Sequence, residues 1–250
     1  MFWETENRDT KLWVPQNTMA EDETESYKEH FPSTSRFNQI IIRATKTNDN
    51  NVLTKEVLMD AIAMHTQIET QEIEVDGIAM TLKDVCTKAG GSCVSKFDGA
   101  CSCLINSILK QWNYNISTLE TDGDFMSTLS GYGTREDMEA ALGKPQFGSN
   151  GTLISAEAFT LSYFLDARSE VINGNDVDEI GETWEEEAFL KTVRSAPKEF
   201  PAISVDYFAT RSFGDEFGDA MYVRKAVAST YSHEFSHDAF RGPAALAIYS

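Results

Sequence analysis

The feature that most constrains this sequence is a cluster of four cysteines. All the cysteines of the 250-residue chain lie within one short segment, as Cys86, Cys93, Cys101 and Cys103. An even, clustered set predicts disulfide bonds or a metal site. Zinc sites usually separate paired ligands by two to four residues, whereas here six and one residues intervene, and the segment holds no histidine. Disulfide bonds are therefore favoured, with free buried thiols and a metal site as the alternatives.

Two N-glycosylation motifs fit the same oxidising setting. The sequons begin at Asn115 and Asn150, and such motifs are glycan acceptors in surface loops of secreted proteins. The first residues lack the basic and then apolar profile of a secretory signal. No apolar run approaches the ~18 to 20 residues that a membrane span requires. Together the cysteines and sequons predict an oxidised domain that is glycosylated at both asparagines.

The chain is strongly acidic. Its 40 Asp and Glu residues outnumber 21 Lys and Arg residues and give a formal charge of −19. A field of this sign repels nucleic-acid phosphates and anionic lipid headgroups, so neither is expected in direct contact with the domain. The segment 171–190 contains seven carboxylates and no Lys or Arg, and we interpret these carboxylates as the solvated face of a helix. They are Asp176, Asp178, Glu179, Glu182, Glu185, Glu186 and Glu187.

Apolar periodicity predicts a mixture of strands and helices. The β-branched run at residues 39–44 indicates a strand buried on both faces. Helical spacing of apolar residues predicts a helix over residues 54–69, and alternation around Asp76 and Gly77 predicts a hairpin. Further helices are predicted at residues 18–31, 103–112, 134–142 and 178–194, and further strands at residues 156–166 and 202–208.

The order of these elements indicates the fold class. A strand, a helix, a hairpin, and then strand, helix and strand again are typical of an α+β protein. We expect a two-layer, ferredoxin-like sandwich of the split βαβ kind. The cysteine segment would belong to a helical, disulfide-tied insertion at about residues 83–150.

Several ordered segments resemble one family of membrane proteins. Residues 12–15 (LWVP), 27–31 (YKEHF) and 36–44 (RFNQIIIRA) are similar to the entry into the first large loop of the Patched, Patched-related and Niemann–Pick type C proteins. The resemblance covers roughly residues 11–220 in the family's order. It continues through residues 82–86, 103–112, 156–166, 183–185 and 204–216.

The resemblance implies a location and a function. Members of this family are sterol-sensing-domain membrane proteins whose large loops lie on the luminal or extracellular side. These loops carry ferredoxin-like units, and they bind protein ligands or help to convey sterols and other lipids. By analogy, Cys86 would pair with Cys103, and Cys93 with Cys101. The expected partners are a membrane, reached through helices outside this sequence, a sterol or other lipid, and a protein ligand.

The sequence departs from the family's pattern near its ends. A transmembrane helix would be expected before Phe2 and another soon after Ala220, whereas residues 221–250 form a polar, divergent tail. Residues 1–220 are therefore expected to form the loop domain and residues 221–250 the tail. The domain is expected to have no cofactor and no catalysis of its own.

One motif supports a rival function. His233, Glu234 and His237 match the zinc-protease pattern H-E-x-x-H, in which two histidines one helical turn apart bind zinc and the glutamate activates water. A working site needs a third protein ligand, and Asp238 is the one candidate among the residues that follow. A zinc-dependent hydrolase is therefore the alternative function.

Overall fold

A long strand at the centre of the chain organises the fold. In the computed structural model, the run predicted at residues 39–44 extends into strand β1 (Ser35–Ala44). It pairs with β8 (Ala158–Asp166) on one side and with β11 (Ile203–Phe208) on the other. The sheet has five strands in the order β11–β1–β8–β4, where β4 is Ile105–Ser107, and β5 (Leu142–Gly143) also pairs with β8. All these pairs are antiparallel.

The structure describes residues 17–30, 35–45, 50–88, 102–168, 170–172 and 175–212. Residues 1–210 form one compact unit and residues 211–250 a second, of which Arg211 and Ser212 are described. The expected boundary at residue 220 lies outside the described residues and stays a prediction.

The two faces of this sheet differ in burial. Along β1, Ile40 and Ile42 are fully buried, whereas Ile41 between them is 39% exposed. Successive side chains of a strand point to opposite faces, so one face packs against the core and the other is open. The prediction of a strand buried on both faces is wrong, because Ile41, although apolar, lies on the open face of the strand.

Two helical segments cover the buried face. Helix α2 (Lys55–Thr70) begins after Thr54, whose hydroxyl oxygen accepts a hydrogen bond from the backbone N–H of Val57. Its apolar stripe is buried as predicted. The acidic segment is continuously helical, with α7 (Glu179–Trp184), a π-helical turn (Glu185–Leu190) and α8 (Lys191–Glu199). Its interpretation as a solvated face is wrong for Asp178 and Glu185, which are 2% and 0% exposed.

The segment after the cysteines differs from its prediction. A helix was expected at residues 103–112, but the structure has strand β4 followed by a 3-10 helix (Ile108–Trp112). The β-branched Ile105 pairs with Tyr163 at the edge of the main sheet, and tertiary pairing overrides helical spacing here. Other described parts of the chain form four further helices: α1 (Met19–His30), α4 (Ile116–Thr121), α5 (Phe125–Ser130) and α6 (Arg135–Ala141).

Short hairpins and one short helix complete the described fold. The predicted hairpin is present as β2 (Ile73–Val75) and β3 (Ile78–Met80), with positive φ at Asp76 and Gly77, as a tight two-residue turn requires. It leads into the one-turn helix α3 (Leu82–Val85). The remaining hairpins pair β6 (Gln146–Phe147) with β7 (Leu153–Ser155) and β9 (Glu170–Ile172) with β10 (Asn175–Val177).

The described residues therefore form a mixed α and β structure with antiparallel sheets and one disulfide bond. Within this described part, no helix has the length and apolar character needed to cross a bilayer.

Candidate functional site

The cysteine segment is tied to the main sheet by a disulfide bond. Cys86 and Cys103 are bonded, with their Cα atoms 5.5 Å apart. Cys86 forms a β-bridge with Leu165 of β8, and Lys88 forms another with Cys103 just before β4. The bond thus holds two chain segments against the same edge of the sheet. Cys93 and Cys101 lie outside the described residues, and their pairing stays a prediction.

Both predicted glycosylation sites are exposed. The side-chain oxygen of Asn115 caps α4 by accepting a hydrogen bond from the N–H of Thr118, at 3.2 Å. The side-chain oxygen of Asn150 accepts hydrogen bonds from the backbone N–H and the hydroxyl of Thr152, at 3.2 and 2.7 Å. A glycan at either position would point into solvent, and its attachment stays a prediction.

The predicted zinc motif cannot be placed in the fold. His233, Glu234 and His237 lie outside the described residues. Among the residues that the structure does describe, no group of three His, Cys, Asp or Glu side chains could hold a metal ion.

A buried ion cluster links β1 to the acidic helical segment. The guanidinium of Arg36 donates to both carboxylate oxygens of Glu185, at 3.1 and 2.8 Å, and lies 3.5 Å from Asp178. Asp178 also caps α7 by accepting from the N–H of Gly181, at 2.9 Å. Burial opposes the positive charge of Arg36, but the charges of Glu185, Asp178 and Glu182, with the hydrogen bond to Glu185, outweigh it and raise the pKa of Arg36. The cluster stabilises the contact between sheet and helix.

An aromatic cluster around His65 lies in the same layer. The Nδ1 atom of His65 is 2.9 Å from the hydroxyl of Tyr163, and its ring lies 4.5 Å from that of Tyr114. The ring of Tyr163 also contacts those of Trp184 and Phe189. Burial lowers the pKa of His65 to about 4, although the charge of Glu69 acts in the opposite direction, and burial raises the pKa of Tyr163 well above its usual value.

These side chains are of types that are common in active sites, but they are buried from solvent. His65 is 1% exposed, and Tyr163 and Glu185 are fully buried. His65 bonds to Tyr163, and Glu185 bonds to Arg36. The side-chain amide of Asn38 and the indole N–H of Trp184 are also buried, without a hydrogen-bond partner among the described residues.

The open face of the main sheet carries an aromatic stripe. Phe37 of β1 lies between Phe164 of β8 and Phe208 of β11, with ring centroids 5.3 and 6.3 Å away. Phe208 is 49% exposed, and Ile41 continues the apolar surface at 39%. We call Phe37, Ile41, Phe164 and Phe208 the aromatic stripe.

Polar side chains lie within and beside the aromatic stripe. Gln39 lies between Phe37 and Ile41 and donates to the hydroxyl of Ser162, at 3.0 Å. Arg43 and Asp206 form an exposed ion pair at 2.6 Å at one end. Exposed aromatic side chains together with polar ones are common in protein-binding surfaces.

Sequence reasoning missed the aromatic stripe. The interpretation of residues 39–44 as buried on both faces left no surface to consider. A signal was present in Asp206 within β11, because a charged residue in a strand usually marks a solvated face. Strand β1 gave no such signal, since Arg36 and Asn38 lie on its buried face and Phe37 and Ile41 on its open face.

Comparison with known families gives a match to part of the chain. The family model described as the Transformer protein 2 N-terminal domain matches residues 31–112. The match covers about a third of the chain and includes β1, α2 and the disulfide-bonded cysteines. A search of curated proteins found no match.

This match overturns the family assignment made from the sequence. The matched model covers residues 36–44, 82–86 and 103–112, three of the segments that resembled Patched, Patched-related and Niemann–Pick type C proteins, and it represents a different family. The identification as a loop domain of a sterol-sensing-domain membrane protein is therefore wrong. Short runs of common strand and helix residues, taken in order, were not specific enough to identify a family.

The conclusions that depended on that assignment are therefore also wrong. They concern the function in sterol or lipid transport, the membrane and lipid partners, and the luminal or extracellular location. The exclusion of nucleic acid is also unsupported by the matched family, since it depended on net charge alone.

Proposed function

We propose that this chain is a protein-binding domain without catalysis of its own, and that the aromatic stripe is its binding surface. The observation that carries the proposal is the stripe itself. Three phenylalanine rings from three adjacent strands are in contact on a sheet face that the described helices do not cover. Aromatic side chains on a rigid sheet lose little entropy on binding and supply most of the energy in many interfaces.

The charge of the chain specifies the partner's chemistry. A domain with a formal charge of −19 attracts basic proteins and repels acidic ones. Asp206 stands at the border of the stripe with its side chain 60% exposed. The partner segment should therefore present apolar side chains next to Lys or Arg.

The absence of catalysis rests on where the reactive groups lie. The described histidine with an altered pKa, His65, is sealed against Tyr163 and Tyr114. Glu185, the first residue of the π-helical turn, is bonded to Arg36. Because both groups are buried and engaged, they support the packing of the domain.

We also propose that the main sheet and its helices form a ferredoxin-like unit. Its four principal strands follow the chain order β1, β4, β8, β11 and lie in the spatial order β11–β1–β8–β4. Helix α2 falls between the first two strands, and α7 and α8 fall between the last two. This order, with antiparallel neighbours throughout, supports the split βαβ arrangement. Such a two-layer fold leaves one sheet face for binding.

The test is a selection of peptide ligands on the full chain. A random peptide display library is selected against the protein, and dissociation constants of the enriched peptides are measured by fluorescence anisotropy. We expect enriched peptides to combine apolar and basic residues. The double variant Ile41→Ser/Phe208→Ser removes the two exposed members of the stripe and should weaken binding by at least about tenfold, because central aromatic contacts each contribute roughly 1–2 kcal/mol.

The matched control is the variant Ile78→Ser, because Ile78 is 57% exposed on the separate β2–β3 hairpin. This control should bind the peptides as the unchanged chain does. A randomised RNA pool is tested in parallel. Failure to enrich any peptide, equal weakening in the control, or an RNA ligand lost in the double variant would contradict the proposal.

A further inference from the structure

Strand β11 lies at one edge of the main sheet. It pairs with β1 along residues Ile203–Phe208, and no described strand pairs with its outer side. In an antiparallel pair, alternate residues direct their backbone N–H and C=O groups away from the neighbouring strand. Such an edge is a template for another extended segment.

The aromatic stripe reaches this edge. Phe208 belongs to β11 and is the most exposed ring of the stripe. Asp206 lies two residues earlier, and strand alternation places it on the same face. A segment added beside β11 would thus meet a carboxylate and an aromatic ring on the open face, two positions apart.

Charge disfavours a second copy of this chain as that segment. Two antiparallel registers near the centre of β11 keep both open faces on the same side, and they place Asp206 opposite either the same residue or Ser204 of the second copy. Like charges directly opposite each other destabilise strand pairing, and two chains each of charge −19 repel. A Lys or Arg at that position would instead form a favourable cross-strand pair.

We propose that an extended segment of a partner protein adds to β11 as a sixth strand. The segment carries a basic residue opposite Asp206 and an apolar residue, two positions away on the same face, beside Phe208. Its backbone bonds to the outer edge of β11, and its apolar side chain extends the stripe. This inference rests on the proposed function and specifies how the partner is held.

Backbone methylation of a selected peptide tests the strand addition. The tightest peptide from the selection is synthesised in two forms, with N-methyl groups on alternate residues of one edge or of the other. A methyl group removes an N–H donor without changing a side chain. We expect one form to bind at least about tenfold more weakly than the other, because several hydrogen bonds of roughly 1 kcal/mol are lost on one edge only.

Charge reversal tests the register. Asp206→Lys should weaken the selected peptide by roughly two- to fivefold, and exchanging its basic residue for Glu should restore binding to this variant. Glu74→Lys is the control, since Glu74 is exposed on the β2–β3 hairpin. Equal affinities of the two methylated forms would overturn the strand addition, as would a failure of the exchange to restore binding. The proposed function would stand in both cases if the Ile41→Ser/Phe208→Ser variant still lost binding.

Discussion

Arg36 and Glu185 form a two-pronged ion pair although 149 residues separate them in the chain. The Nε and Nη2 atoms of Arg36 lie 3.1 and 2.8 Å from the two oxygens of Glu185. Glu185 is fully buried and the side chain of Arg36 is 12% exposed. The pair therefore connects strand β1 to the π-helical turn, where the carboxylate of Glu185 is shielded from bulk water.

Replacing Arg36 should strongly destabilise the fold. Arg36→Met would remove the guanidinium that contacts buried Glu185 and Asp178, and breaking a buried ion pair on one side typically costs about 3–5 kcal/mol. The free energy of unfolding, measured by urea titration, should fall by that amount. The control is Arg43→Met, since Arg43 and Asp206 form a pair whose side chains are 51% and 60% exposed; it should cost less than about 1 kcal/mol. Equal losses in the two variants would contradict the buried role of Arg36.

Lowering the pH should destabilise the protein through His65. Burial lowers the pKa of His65 to about 4 in the folded protein, from 6.5 in the unfolded chain. The unfolded chain therefore binds this proton first, so the stabilising effect is complete above pH 6.5 and is lost as the pH falls towards 4. The loss between about pH 7 and pH 5 should be about 2 kcal/mol.

Urea titrations at several pH values measure this effect. The variant His65→Gln cannot take up the proton, so its stability should depend less on pH over the same interval. The difference between the two proteins isolates the histidine from carboxylates that titrate in both. A His65 ring that titrates near pH 6.5 in the folded protein, identified by its absence in His65→Gln, would show that His65 is not buried against Tyr163.

The disulfide bond can be mapped with trypsin under non-reducing conditions. Cleavage after the lysines of this region gives peptides 84–88, 89–96 and 97–110, which contain Cys86, Cys93 and the pair Cys101 and Cys103. The observed bond and the predicted second bond would join all three peptides. In the variant Cys93→Ser/Cys101→Ser, peptides 84–88 and 97–110 should remain joined. Their separation in that variant would contradict the bond between Cys86 and Cys103.

Zinc content tests the absence of metal-dependent catalysis. The full chain, dialysed against metal-free buffer, should retain far less than one zinc ion per chain by mass spectrometry. His233→Ala should leave the content unchanged, because the motif itself supplies two zinc ligands and a catalytic site uses three protein ligands. Stoichiometric zinc that is lost in His233→Ala would support the hydrolase instead.

Local chemistry made several elements predictable. The Asp76-Gly77 pair needed only its own backbone preference to give the hairpin. The apolar stripe of α2 and the hydroxyl of Thr54 that caps it are properties of one short segment. These features depend on neighbours in sequence, so the sequence displays them directly.

The binding face and the buried charges depend on distant partners. Glu185 lies in a helical segment and is buried because Arg36 of strand β1 pairs with it. No residue near Glu185 in the sequence indicates that pairing. Phe37 becomes part of a surface because β8 and β11 place Phe164 and Phe208 beside it. The family assignment failed for a related reason, since β-branched runs and helical repeats recur in unrelated proteins.

The central claim is that the partner binds the aromatic stripe, and methyl NMR of isoleucine tests it most directly. Ile41 lies on the stripe, whereas Ile78 and Ile154 are 57% and 55% exposed in other strands. On titration with a selected peptide, we predict that the methyl signal of Ile41 shifts and that those of Ile78 and Ile154 stay in place. Shifts at Ile78 or Ile154 with an unchanged signal at Ile41 would contradict the account.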